Sequence, residues 1–131
     1  MSQSIATIAL LVREYDEALT YYTGMLGFEV VEDTKINDGK RWIMVRPPHA
    51  TSGCALLLAK ASNPGQSHSI GNQAGGRVFL FLETNNFDDD YRTYRARGVR
   101  FQEEPRHEAY GRVVVFEDIY GNRWDLLERQ K

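Results

Sequence analysis

Thiols are nearly absent from this chain of 131 residues: Cys54 is the single cysteine, so no disulfide framework can form within it. Cys54 sits in the apolar run Gly53-Cys54-Ala55-Leu56-Leu57-Leu58 and reads as a buried structural thiol rather than a nucleophile. Charge of one sign is also lacking. Sixteen basic residues face eighteen acidic ones, for a net charge of −2, and no basic stripe stands out. Nucleic acid and anionic lipid are therefore not expected partners. No apolar run approaches the ~20 residues that span a bilayer. The start, Met1-Ser2-Gln3-Ser4, carries no basic segment followed by a long apolar stretch, so a cytoplasmic location is expected. Catalytic signatures are missing too: there is no G-x-S-x-G elbow, no P-loop and no C-x-x-C, and Gly71 to Gly76 does not match the dinucleotide fingerprint. No cofactor is expected.

What is present is an ordinary globular composition, 42% hydrophobic and 26% charged. At this length about two thirds of the unfolded surface can be buried, enough for a core without disulfides or a structural metal. The pattern of that core repeats. Ile5 to Val12 reads as a strand, and so does Arg77 to Leu82. Leu19, Tyr22 and Leu26 then share one helical face, as do Phe87, Tyr91 and Tyr94. Asp16 is the expected cap of the first helix and Asn86 of the second, because a side-chain oxygen there accepts an unpaired backbone N–H. Gly27 and Gly98 are the expected helix stops. Strands resume at Phe28-Glu29-Val30-Val31 and Val99-Arg100-Phe101. Arg41 to Val45 matches Arg112 to Phe116, and Ala55 to Leu58 matches Trp124 to Leu127. Turns are expected at Asn37-Asp38-Gly39 and Tyr120-Gly121-Asn122.

Strand, helix, strand, strand, strand thus occurs twice. The expected class is α+β, two tandem βαβββ units forming curved, mostly antiparallel sheets around a cleft, each helix on an outer face. One domain is expected, with unit one at 1–60, a linker at 61–76 and unit two at 77–131. The linker holds Asn63-Pro64-Gly65, Gly71 and Gly75-Gly76 and reads as a loop: either a flap over the cleft or a plain crossover. Asp88-Asp89-Asp90 reads as acidic groups favoured at a helix N-terminus, not as a metal site.

Several segments carry a family resemblance. Ile8-Ala9-Leu10-Leu11-Val12, Asp16-Glu17-Ala18-Leu19-Thr20-Tyr21-Tyr22, Met25-Leu26-Gly27-Phe28 and Phe116-Glu117-Asp118-Ile119-Tyr120-Gly121-Asn122-Arg123-Trp124-Asp125-Leu126 resemble the vicinal oxygen chelate superfamily. That superfamily groups glyoxalase I, bleomycin- and fosfomycin-resistance proteins and extradiol dioxygenases. The resemblance implies metal ligands on the first and last strand of each unit in its metal-using members. Those positions fall here at Thr7, within Ala55 to Leu58, at Arg77 and at Asp125. Only Asp125 is a good donor, since a guanidinium carries no lone pair to give. No metal is expected. The resemblance also implies a homodimer, and a small-molecule binder acting by sequestration; a superfamily enzyme, glyoxalase-like or dioxygenase-like, is the alternative.

Strand alternation assigns the faces. Val78, Leu80 and Leu82 are expected beneath the helix, and Arg77, Phe79 and Phe81 in the cleft. Arg123, Asp125 and Leu127 join the cleft from the last strand, and Thr7, Ala9 and Leu11 from the first. Because metal-using relatives hold two ligands of one metal at these positions, the resemblance implies that Arg77 and Asp125 lie close together in one hollow, either gripping a ligand oxygen or forming an ion pair that plugs the former metal site. Trp42, Tyr110, Arg41 and Arg112 form a second candidate set, Trp42 stacking on a ligand ring or filling core. The ligand-binding candidates are thus Arg77, Asp125, Thr7, Trp42, Phe79 and Tyr110. His49, His68 and His107 read as exposed loop residues.

Overall fold

In the computed structural model, which describes residues 1–130, the chain divides into two compact units, Met1–Ile70 and a second beginning at Gly71. The first unit contains β1 (Thr7–Val12), α1 (Tyr15–Gly24), β2 (Glu29–Asn37), β3 (Lys40–Arg46), β4 (Ala55–Lys60) and α2 (Pro64–Ser69). The second contains β5 (Val78–Glu83), α3 (Phe87–Arg97), β6 (Arg100–Phe101), β7 (Arg106–Glu108), β8 (Gly111–Glu117) and β9 (Arg123–Arg129). The first sheet has strand order β1-β4-β3-β2. The second runs β5-β9-β8-β6, with β7 also paired to β8. In each, the first strand lies parallel to the last and the other pairings are antiparallel. The expected α+β class and the duplicated order are both observed.

Period-two alternation builds both cores. In the first unit Leu10, Val12, Ile43, Val45, Leu56 and Leu58 are buried on one face of the sheet, with Ala18 and Tyr22 supplied by α1. Tyr22 lies 5.5 Å from the Phe28 ring. The second core is aromatic. Phe116 stacks on Trp124 at 5.7 Å and meets Tyr94 and Phe101 edge-on. Each such side chain contributes roughly 1.5–3 kcal/mol by leaving water.

The ends of α1 differ from expectation, and those of α3 match it. The β-region residue before α1 is Glu14, whose side chain makes no capping bond; Asp16 lies inside the first turn instead. Asn86 does cap α3, accepting from the Asp89 N–H. Gly98 closes α3 in the left-handed conformation, at φ 90°. In α1 the helix stops at Gly24, and left-handed Gly27 follows only after Met25 and Leu26. Tyr21 and Tyr22 carbonyls accept the Met25, Leu26 and Phe28 N–H groups there. That satisfies the last carbonyls of the helix without a glycine at its immediate end.

Two segments are more ordered than the sequence suggests. The stretch expected as a loop carries α2, capped by Asn63 and begun by Pro64 at its first turn, and α2 packs against β1. The second strand region of the second unit gains a segment: β6 and β7 flank Gln102–Pro105, where, of the backbone, only the Gln102 N–H still bonds β8, at Val115. Proline has no N–H to donate to a ladder, which accounts for a break there. Cys54 is half-buried rather than fully buried. His49, His68 and His107 are all exposed, although His68 lies in α2 and His107 in β7.

Candidate functional site

The face of the first sheet turned away from α1 is lined by short or apolar side chains. Ala9, Leu57 and Met44 sit side by side in register across β1, β4 and β3. Leu11 pairs with Ala59 one step further along. Trp42 follows on β3 and is 39% exposed, unusual for so large an apolar group. Thr7 lies on the same face by parity, but at the opposite end, beside Ala55.

A hollow of about 470 Å³ opens next to Trp42. Its cause is a mismatch in strand length. Pairing between β3 and β4 runs only from Val45↔Leu56 to Ile43↔Leu58, whereas β3 continues to Lys40 along β2. The space left beyond Leu58 is floored by Leu57 and Ala59 and bordered by Trp42, Tyr15, Lys40 and Lys60. Arg41 locks one wall. It bonds Asp33 of β2 through two nitrogens, at 2.8 and 3.3 Å, and Asp16 of α1 at 2.8 Å. Its guanidinium also lies 5.6 Å from the centre of the Tyr15 ring. Hydrogen bonds to Asp33, and then to Asp16, push the Arg41 pKa further above the usual arginine value. Arg41 therefore stays protonated at every accessible pH, its charge balanced by the two carboxylates behind it.

In the second unit the face away from α3 carries Asp125, which is 7% exposed. Its Oδ1 is buried and has no hydrogen-bond partner. Asp125 pairs in register with Phe81 on β5 and Val115 on β8. Arg106 is the neighbouring cation, but its guanidinium is already bonded to Glu103 at 2.8 Å and to Glu108. Burial raises the Asp125 pKa above the ordinary aspartate value; Arg106 opposes that shift and Glu103 adds to it. A buried carboxyl without a hydrogen bond is costly, so the group is held in place by the surrounding packing rather than by its own contacts.

The expected meeting of Arg77 and Asp125 does not occur. Asp125 is in register with Phe81, four residues beyond Arg77, and the strand rise puts those positions roughly 10 Å or more apart. A β-bulge between Val78 and Leu80 also breaks the side-chain alternation. Parity counted through the bulge from Phe81 therefore misassigns Arg77. Arg77 is exposed and lines a separate hollow of about 190 Å³ with Phe79, Glu117 and Arg123. Tyr110 is 48% exposed and stands at the turn before β8, where its carbonyl accepts the Gln130 N–H. Arg112 is not solvated freely: it stacks over Phe87 at 4.5 Å and pairs with Asp88. Tyr15, Lys40, Lys60 and the Arg106–Glu103 pair carry no motif, and sequence reasoning passed over them. They are assembled by strand register alone.

A model of the glyoxalase/bleomycin resistance protein/dioxygenase superfamily matches residues 4–126. The chain belongs to that superfamily. An uncharacterized protein of Shewanella frigidimarina is 52% identical over 129 residues, which cover 98% of this superfamily member and 95% of that relative. Among solved structures, UcmS2 is similar with a TM-score of 0.82 at 28% identity, over 97% of this chain and 98% of that one. TnmS3, an antibiotic binding protein from Streptomyces sp. CB03234, is similar with a TM-score of 0.79 at 25% identity, over 99% of each chain. The four positions that the resemblance marks for metal ligands hold a hydroxyl at Thr7, hydrocarbon from Ala55 to Leu58, a guanidinium at Arg77 and one carboxyl at Asp125. Among the described residues, no three His, Cys, Asp or Glu side chains gather as a metal site would require. Among the same residues, no helix is long and apolar enough to cross a membrane.

Proposed function

We propose that this protein binds a small organic molecule and holds it rather than transforming it, without the metal centre of its metal-using relatives. One observation carries the reading: an exposed tryptophan beside a hollow of about 470 Å³ with an apolar floor. Small-molecule sites fall in the range of about 300–1,000 Å³ and combine apolar walls with few polar groups. A ring laid on Trp42 would cover surface that is otherwise costly to leave in water. The similarity to an antibiotic binding protein supports the same class of role. The single good donor among the four metal-ligand positions supports the metal-free part. The reading includes a cytoplasmic homodimer, which light scattering on the purified protein tests.

The experiment is a thermal-shift screen of aromatic natural products against the wild type and Trp42→Ala. A ligand that binds only the folded state at a hundred times its Kd stabilises by about 2.7 kcal/mol. The expected result is a set of stabilising compounds whose effect disappears in the variant. Hits that stabilise both proteins equally would remove Trp42 from the site.

A superfamily enzyme acting with altered residues is the second reading, and Asp125 is the observation that favours it. A carboxyl whose pKa is raised by burial holds its proton more tightly than an ordinary aspartate, as a general acid needs. Turnover of a hemithioacetal or a catechol, measured with and without added divalent metal and lost in Asp125→Asn, would establish that reading.

A further inference from the structure

We infer that the ligand held beside Trp42 is an acid, a flat aromatic molecule bearing a carboxylate or phenolate. The inference rests on the binding role proposed for that hollow and goes on to name the chemistry it selects. Three cations line the hollow, Lys40, Arg41 and Lys60, and no carboxylate does. The acidic groups that balance two of them lie outside its lining. Arg41 is bonded to Asp33 and Asp16, and Lys60 to Glu14 at 3.1 Å. Lys40 has no ion-pair partner among the described residues and stands fully on the surface, next to left-handed Gly39 at the β2–β3 turn.

This arrangement separates two jobs. Arg41 is tied on both sides and cannot reorient toward a ligand without giving up paired bonds, so it serves as a wall and a fixed positive charge. Lys40 and Lys60 sit on flexible four-carbon stems with three donors each; Lys40 is unpaired among the described residues, and Lys60 can share its single exposed bond to Glu14 with an anion. The Trp42 face, Leu57 and Ala59 accept the ring. A neutral ring would gain only the apolar contact. A ring with an acidic substituent gains the same contact and an anion's attraction to two adaptable cations. An amine on the ring would meet the unpaired Lys40 and gain no anionic partner in the lining.

The test uses three probes that share one ring: 2-naphthoate, 2-naphthamide and 2-(aminomethyl)naphthalene. Binding is read from quenching of Trp42 emission, with Trp42→Phe measuring the background from the remaining, buried Trp124. The expected order is acid, then amide, then amine, with the acid about tenfold tighter than the amide, as two exposed ion pairs would give. Lys40→Gln combined with Lys60→Gln should bring the acid down to the level of the amide and leave the amide unchanged. Added salt should weaken the acid alone. If all three probes bind equally, the hollow is a site but not one for acids, and the inference falls while the binding role stands. If none perturbs Trp42, both fall together.

Discussion

The two units share a topology and differ in what their open faces carry. In the first, that face is built from Ala9, Leu11, Met44, Leu57 and Ala59 and ends in an exposed Trp42. In the second, the corresponding face buries Asp125 without a hydrogen bond, beside a guanidinium committed to two glutamates. The strand plan repeats because it depends on the core-facing positions, where every second residue must leave water. The opposite faces are not held to that pattern and have diverged: the first ends in an exposed Trp42 with a border of basic residues, whereas the second buries Val113 and Leu127 around a lone carboxyl. The cores themselves also differ, aliphatic around α1 and aromatic around α3, so one backbone plan accepts two packing solutions.

The largest effect should come from breaking the aromatic core. Phe116 is fully buried and touches three other rings, so Phe116→Ala should cost about 3–5 kcal/mol in urea unfolding. Leu58→Ala in the aliphatic core should cost about 2–5 kcal/mol by the same measure, nearer the lower end if the neighbouring aliphatic chains relax into the gap. Equal losses from both would mean that the ring contacts add nothing beyond volume.

Next in size is the difference in helix starts. Asn86→Ala removes a true cap and should destabilise by about 1 kcal/mol. Asp16→Ala removes only an exposed ion pair, which Arg41 keeps in part through Asp33, and should cost under about 0.5 kcal/mol. A larger loss from Asp16→Ala than from Asn86→Ala would reverse the assignment of the two caps.

The pH response of the second open face should be of comparable or smaller size. The folded-state pKa of Asp125 is raised, so the native state holds the proton more tightly than the unfolded chain does. Its contribution to stability is therefore full below the unfolded value near 3.9 and is lost as pH rises through the folded value. Asp125→Asn removes the charge. It should raise the free energy of unfolding at pH 7 by an amount on the order of 1 kcal/mol and converge with the wild type near pH 4. A variant that tracks the wild type at both pH values would show that the buried carboxyl carries no such penalty. In the first unit, Trp42 is 39% exposed, so Trp42→Ala also gives up buried ring area and should cost on the order of 1 kcal/mol, read from urea unfolding alongside its loss of binding.

How much was readable in advance can be seen residue by residue. Leu10, Val12, Ile43, Val45, Tyr22, Phe87 and Tyr94 announce their burial by spacing, and Asn86 and Gly98 announce the ends of α3 by residue type. Trp42 stood out as a candidate from its strand position alone. Arg77 and Asp125 did not come together as the family's ligand positions implied, because Asp125 pairs with Phe81, four residues further along the strand than Arg77 and past the bulge between Val78 and Leu80. The helix at Pro64–Ser69 was hidden by glycine and serine, residues that read as loop until Asn63 and Pro64 are seen to start a turn that packs on β1.

The amino-acid order by itself determined the duplicated strand and helix plan and the side of each strand that enters a core. Those follow from local periodicity and backbone preference, which act over a few residues. Strand register decided the rest: where β3 outruns β4 to open a hollow, which cations border it, and that a lone carboxyl lies buried on the other sheet. Register is a property of pairing between distant segments, and one inserted residue moves every neighbour across the sheet.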